Sequence, residues 1–157
     1  MGKEIERKFL VNHKWGLIEK PVGQLYRQGY ILNDPTKTIR VRQTEDKGFL
    51  TIKGLSIGAT RSEYEYEIPL GDAKELLDSF STSELSKIRY KITFENKLWE
   101  VDEFLSDNKG LIVAEIELKS EKETIILPDW IDKEVTGEEK YYNSNLTINP
   151  FNKWKLR

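Results

Sequence analysis

Apolar and polar residues alternate with a period of two along most of this chain, and the polar member of the alternation is usually ionic. Period two is the mark of an extended strand, whose successive side chains point to opposite faces. Lys3 to Val11 sets Glu4, Glu6 and Lys8 against Ile5, Arg7 and Phe9 and predicts a first strand. The same pattern predicts strands over Gln24 to Leu32, Lys37 to Thr44, Phe49 to Lys53, Ser62 to Pro69, Leu85 to Glu95, Leu98 to Phe104 and Leu111 to Lys119. Turn residues separate several of them, at Asn33-Asp34-Pro35, Glu45-Asp46-Lys47-Gly48 and Asn96-Lys97. Helical periodicity is scarce. A short turn is expected before Pro21, a helix from Ala73 to Phe80 capped by Asp72 with Leu76, Leu77 and Phe80 as its apolar stripe, and a final short helix within Gly137 to Ile148 that packs Tyr141, Tyr142 and Leu146. The prediction is a mainly β (α+β) fold, one domain over 1–157. About eight antiparallel strands close into a barrel with a few short helices outside, which removes exposed edges.

The composition of the two faces separates two versions of that barrel. Arg40 and Arg42 oppose Ile39 and Val41; Glu63, Glu65 and Glu67 oppose Tyr64, Tyr66 and Ile68. Lys87, Arg89 and Lys91 oppose Ile88, Tyr90 and Ile92. Lys53 opposes Leu50 and Ile52, Glu100 and Asp102 oppose Trp99 and Val101, and Glu115 and Glu117 oppose Ala114, Ile116 and Leu118. For any one strand the ordinary reading is a charged face toward solvent. A solvent face, however, is free to use Thr, Ser or Gln, which suit strands better than Glu or Lys. Like charges at i and i+2 repel and gain nothing unless a counter-ion sits between them. Repeated Glu-x-Glu and Arg-x-Arg pairs therefore predict an inverted barrel, ionic inside and apolar outside, around a ligand that carries both signs. Hard divalent cations take carboxylate oxygens and phosphate suits Arg and Lys, so the residues point to metal plus polyphosphate.

Charge and composition narrow the classes further. Charged residues make up 33 % of the chain, yet the formal net charge is −2, which argues against a binder of nucleic-acid duplexes. There is no cysteine, which excludes disulfides and thiolate metal sites and fits a reducing cytoplasm. The segment Met1 to Val11 is too charged for a signal peptide, and no apolar run approaches the roughly 20 residues of a membrane span.

Glu4-Ile5-Glu6-Arg7-Lys8 forms an E-x-E-x-K motif that resembles the signature of the CYTH superfamily, the triphosphate tunnel metalloenzymes. Arg27-Gln28-Gly29-Tyr30, Ile39-Arg40-Val41-Arg42, Thr51-Ile52-Lys53-Gly54 and Arg61-Ser62-Glu63-Tyr64-Glu65 resemble successive strands of that family, in order. Lys87-Ile88-Arg89-Tyr90, Trp99-Glu100-Val101-Asp102 and Ala114-Glu115-Ile116-Glu117 continue the series. Glu134-Val135-Thr136, followed by Tyr141 and Asn143, resembles the C-terminal segment of compact bacterial members. The resemblance implies a closed tunnel with its charges inward and a metal-dependent hydrolase of triphosphates, most of all inorganic triphosphate. It implies that Glu4, Glu6 and one or both of Glu115 and Glu117 hold Mg²⁺ or Mn²⁺, with Glu63, Glu65, Glu100 and Asp102 as lesser candidates. Lys8, Arg40, Arg42, Lys53, Lys87 and Arg89 are then the phosphate ligands, joined by Arg61. Glu63 and Glu65 are candidates for orienting the attacking water, and Tyr30 with Lys8 resembles a Tyr–Lys pair that assists the chemistry in some members.

Each of these has a plainer reading: Tyr30 as a packing residue, Arg61 as a solvated strand edge. His13, the one histidine, is read as a surface residue, and Trp15, Trp99, Trp130 and Trp154 as outer-face packing. An apolar outer wall with few helices to cover it motivates a homodimer as a hypothesis. Nucleoside triphosphates are a further candidate substrate. A class IV-type adenylyl cyclase or a thiamine triphosphatase is the alternative within the family, and a non-catalytic polyphosphate-binding module is the alternative outside it. A ligand-free β-protein is the blandest reading.

Overall fold

The structure, a computed structural model, describes residues 2–154. The two ends of the predicted 1–157 unit lie outside the described residues. One sheet holds ten strands. They are β1 (Glu4–Val11), β2 (Gln24–Asp34), β3 (Lys37–Gln43), β4 (Gly48–Gly54), β5 (Thr60–Arg61), β6 (Glu63–Ile68), β7 (Ser83–Phe94), β8 (Lys97–Phe104), β9 (Ile112–Glu117) and β10 (Ile131–Glu134). The helices are α1 (Leu70–Phe80) and a single turn, α2 (Asn143–Leu146), with 3₁₀ turns that include His13–Leu17. No helix among the described residues is long and apolar enough to cross a membrane.

Neighbouring strands run in the order β10-β1-β9-β8-β7-β2-β3-β4-β6. The pairings are antiparallel, as the hairpin spacing predicts. β5 returns the path to its start. It pairs with β1 at Glu4–Arg61 and Ile5–Thr60, then continues through Ser62 into β6. The amides of Glu6 and Glu63 donate across the same seam to the carbonyls of Ala59 and Gly2. The eight predicted strands thus form a ring whose last joint is a two-residue stitch. The other end of the same edge of β1 is taken by β10, through Phe9–Glu134 and Val11–Ile131. Strands of two and four residues show no period, which is why β5 and β10 escape the sequence reading.

The apolar residues form three clusters. Two lie on the outer wall. In the first, Phe9, Trp99, Val101 and Ile116 face outward from β1, β8 and β9 and are covered by Trp15 and Trp130. The Trp15 and Trp130 rings meet edge-on at 5.0 Å, and Trp15 Nε1 donates to Glu103 at 2.8 Å. In the second, α1 lies on β3 and β4 with Ala73 and Leu77 against Val41. Gly29 and Gly48 make this approach feasible: a Cβ on Gly48 would stand 2.5 Å from that of Ala73. The helix departs from its predicted form. It begins at Leu70 after Pro69, without a side-chain cap, and Asp72 sits in its first turn instead. Phe80, expected in the apolar stripe, is exposed. The third cluster is inside the ring. Leu85, Phe104 and Val113 share the inner face of β7, β8 and β9, and Leu10 packs with them. Val135, Tyr141 and Leu146 close over this apolar floor from the C-terminal segment. The predicted final helix is broken there into a 3₁₀ turn, Glu139–Tyr141, and α2.

The inner face is therefore ionic along most of its height and apolar at one end. Much of the outer wall is covered by the chain itself, through the Trp15 turn, the Trp130 segment and α1, so few helices suffice. The strip left open includes Ile52 of β4 and its cross-strand partner Tyr64 of β6, with Tyr66 beyond it.

Candidate active site

Alternation puts one face of each ring strand inside, and the inward side chains border a cavity of about 230 Å³. Seven acidic and seven basic residues line it. β1 contributes Glu4, Glu6 and Lys8; β3 contributes Arg40 and Arg42; β7 contributes Lys87 and Arg89. Lys53 comes from β4, Glu63 and Glu65 from β6, Glu100 from β8, Glu115 and Glu117 from β9, and Arg61 from the stitch. Tyr30 of β2 reaches the same wall. Every predicted site residue except Asp102 borders this cavity. Glu67 and Lys91, assigned to the same faces by parity, are exposed and do not border it.

The charges are ordered by side. On one wall, lysines stand among carboxylates. Lys8 Nζ reaches Glu115 at 2.5 Å and Glu6 at 3.0 Å, while Lys53 Nζ reaches Glu4 at 3.2 Å and Glu63 at 3.6 Å. Burial alone would lower the Lys8 ammonium, but Glu115 and Glu6 hold it above the ordinary lysine range. Glu117, open to water at the end of β9, is left over. Partial burial and the carboxylates of Glu4, Glu63, Glu6 and Glu100 push its proton affinity up. The acid side thus has more negative charge than its lysines offset. Among the described residues no three acidic side chains already converge on one point.

The opposite wall is cationic. Arg40 donates to Thr51 at 3.1 Å and Glu65 at 3.3 Å; Glu65 also accepts from Thr51 at 2.9 Å. The ring of Tyr26 lies between the guanidinium groups of Arg42 and Arg89, 5.0 and 5.1 Å from its centroid. Asp102 lies behind this wall with both carboxylate oxygens engaged. Arg89 binds it through two hydrogen bonds of 2.8 and 2.9 Å, and Lys87 Nζ lies at 2.8 Å. Although burial alone would raise it, these cations hold the Asp102 carboxyl below its usual range. A carboxylate so committed anchors cations and is poorly placed to ligate a metal. Burial, with Arg40 and Arg89 beside it, lowers Arg42 to about 10. Burial, with Arg89 and Arg42, outweighs Asp102 and pulls the Lys87 ammonium down to about 7. Crowded cations held below their ordinary proton affinity are the mark of a site that lacks an anion.

Sequence parity could have found more of the inner face than it did, with Thr38 in the cavity lining and Thr51, Tyr26 and Gln28 buried beside it. Thr38 and Thr51 precede Arg40 and Lys53 by two residues and share their faces. Gln28 and Tyr26 share the face of Tyr30. Tyr142, Asn143 and Ser144 also line the cavity, from a segment with no strand period to expose them. Asn143 Oδ1 accepts from Lys87 Nζ at 2.8 Å and from Gln28 Nε2 at 3.1 Å. The Arg61 guanidinium lies 5.6 Å from the centroid of the Tyr142 ring, where the two line one edge of the cavity.

The sequence profile of the CYTH domain matches residues 2–147. A protein of Acetivibrio thermocellus named inorganic triphosphatase is 52 % identical over 157 residues, 99 % of each chain. One of the same name from Nitrosomonas europaea is 34 % identical over 154 residues, covering 92 % of this chain and 97 % of the relative. The crystal structure of an inorganic triphosphatase superimposes with a TM-score of 0.64 at 30 % identity, over 92 % of this chain and 94 % of that one. A ring with an ionic interior, a profile spanning nearly its full length and these relatives agree, and the chain belongs to the CYTH family.

Proposed function

We propose that this chain is a single-domain, divalent-metal-dependent hydrolase that cuts inorganic triphosphate to pyrophosphate and phosphate, with nucleoside triphosphates as further candidate substrates. The observation that carries this reading is the separation of charge within one cavity: cations short of an anion on one wall, carboxylates short of a cation on the other. A triphosphate would supply the anion, and a divalent ion held by the carboxylates would supply the cation. The names of the relatives at 52 % and 34 % identity support the same substrate.

The donor set fits Mg²⁺ or Mn²⁺, since Glu4, Glu6, Glu115 and Glu117 offer hard oxygen ligands and, among the described residues, no sulfur or imidazole borders the site. When bound, the ion neutralises phosphate oxygens and polarises the phosphorus under attack. The rest is done by the chain. Arg40, Arg42, Lys87 and Arg89 hold the phosphate oxygens, and Lys8, Lys53 and Arg61 extend that hold along the lumen. Strand-borne side chains fixed by ion pairs preserve the in-line geometry that phosphoryl transfer requires. A water oxygen bonds to the terminal phosphorus as the bridging P–O bond breaks, and pyrophosphate leaves. Glu63, which meets Lys53 only at 3.6 Å, takes the water's proton, whereas Glu65 is hydrogen-bonded by Arg40 and Thr51. Tyr30 of β2 and Lys8 of β1 assist from opposite sides of the lumen.

The test is phosphate release from tripolyphosphate, ATP and thiamine triphosphate, each with Mg²⁺ or Mn²⁺. Tripolyphosphate is expected to turn over fastest, and Glu4→Gln to lower the rate by about 100-fold or more. Cyclic AMP from ATP, or binding of tripolyphosphate without turnover, would overturn the reading. Cytoplasmic residence belongs to the same proposal, as does a homodimer through the strip of Ile52, Tyr64 and Tyr66. Light scattering at micromolar concentration reads the dimer directly, and a monomer ends it.

A further inference from the structure

Among the uncharged polar side chains that line the lumen, one is hydrogen-bonded into the cationic wall yet has no role in the chemistry above. Asn143 opens α2, far in sequence from the ring strands, yet it borders the same cavity as Lys87 and Arg42. Its orientation is fixed. A lysine ammonium can only donate, so the group facing Lys87 Nζ at 2.8 Å must be the carbonyl oxygen Oδ1. Gln28 agrees with this direction. Arg42 Nε can only donate, and it meets Gln28 Oε1 at 3.4 Å, which leaves Gln28 Nε2 to donate to the same Asn143 Oδ1 at 3.1 Å. The chain of bonds thus runs inward from two cations and ends on one acceptor. Asn143 Nδ2 is left with two N–H groups and no hydrogen-bond partner among the described residues. Every polar neighbour named here is a donor toward Asn143, so within this network Nδ2 stays free and, on a half-buried residue of the lining, is open to the lumen, where an acceptor of the ligand can take the place of water.

We infer that Asn143 is a substrate-binding residue, donating from Nδ2 to a phosphate oxygen of the triphosphate while its carbonyl holds Lys87 in place. This rests on the proposed triphosphatase function and adds a neutral donor, supplied by the C-terminal segment, to the cationic wall. Two roles are combined in one side chain, and they can be separated. If Asn143 acts only through Lys87, its removal has no effect once Lys87 is gone, and an effect relayed through Gln28 to Arg42 is preserved by Asn143→Asp, which keeps the acceptor. If it also donates to the ligand, its removal still weakens binding.

The experiment is a double-mutant cycle with Lys87→Met and Asn143→Ala, reading tripolyphosphate affinity by titration calorimetry in EDTA, where no turnover occurs. Asn143→Ala is expected to weaken binding about tenfold or more in the wild type and again in the Lys87→Met background, the range for a hydrogen bond to a charged group. An effect that vanishes in Lys87→Met overturns the donor role. Asn143→Asp is the second variant, nearly isosteric and able to keep both bonds at Oδ1. It replaces the donor by an anion and is expected to bind tripolyphosphate more weakly than Asn143→Ala. Asn143→Asp equal to or tighter than wild type would leave Asn143 as an anchor alone. Phosphate release by the wild type decides the function separately: turnover with indifferent Asn143 variants sinks only this assignment.

Discussion

Asp102 and Lys87 are buried side by side, with Arg89 on the far side of the carboxylate. A buried carboxylate that serves two cations is hard to remove, because its loss strands both. Asp102→Asn is expected to lower the unfolding free energy by about 3 kcal/mol, read from urea melts. Lys87 gives a signed pH effect. Its ammonium titrates at about 7 in the fold and about 10.4 in the unfolded chain. Between those values the unfolded chain holds a proton that the folded chain has lost, so stability from this group rises with pH. From pH 7 to 9 the gain is about 2 kcal/mol, and Lys87→Met should abolish it. Lys8 does not interfere, since it is held above the lysine range and stays charged in both states across that window. Tripolyphosphate affinity should fall over the same interval in the wild type, as the ammonium loses its proton, and stay flatter in Lys87→Met.

At the level of elements, α1 is held by a narrow line of small contacts. Leu77→Ala removes a side chain that is 1 % exposed and should lower stability by about 2–5 kcal/mol, measured by denaturant midpoint. Gly48→Ala forces a methyl group against Ala73 and should lower it by about 1–3 kcal/mol. Neither residue borders the cavity, so phosphate release by the folded fraction should change little. The sequence made the eight ring strands legible because each is long enough to show its period, with ionic residues on one face. It made the lumen legible for the same reason: parity alone gathers Glu6, Arg42 and Glu117 onto one cavity. What escaped had no period to show. β5 and β10 are too short, and Asn143 lies in a single helical turn. Leu10, Leu85, Phe104 and Val113 lie at inward parity, but apolar residues on an ionic face read as exceptions rather than as a floor. The helix start was missed because Pro69 replaced the polar cap that the pattern assigned to Asp72.

Across the whole molecule, opposed charges of equal number are packed into a space a ligand must complete. Ligand should therefore stabilise the fold as well as react in it. At a hundred times its dissociation constant, tripolyphosphate should add about 2.7 kcal/mol and raise the melting temperature by about 5–10 °C. The divalent ion alone should give a smaller rise, with Glu117→Gln reducing it; a melting point indifferent to both would contradict the charge argument. The pairing of β1 carries a different consequence. It precedes the other described strands in the chain, yet apart from the two-residue stitch of β5 its partners β9 and β10 end at residues 117 and 134. A growing chain holds Glu4 and Glu6 long before it has Glu115 and Glu117 to set opposite them, and the edge of β1 that β9 takes stays open until residues 112–117 are made. A chain stopped before β9 would leave the ring open and the acidic wall without Glu115 and Glu117, so in this architecture an early strand is seated only by a late one.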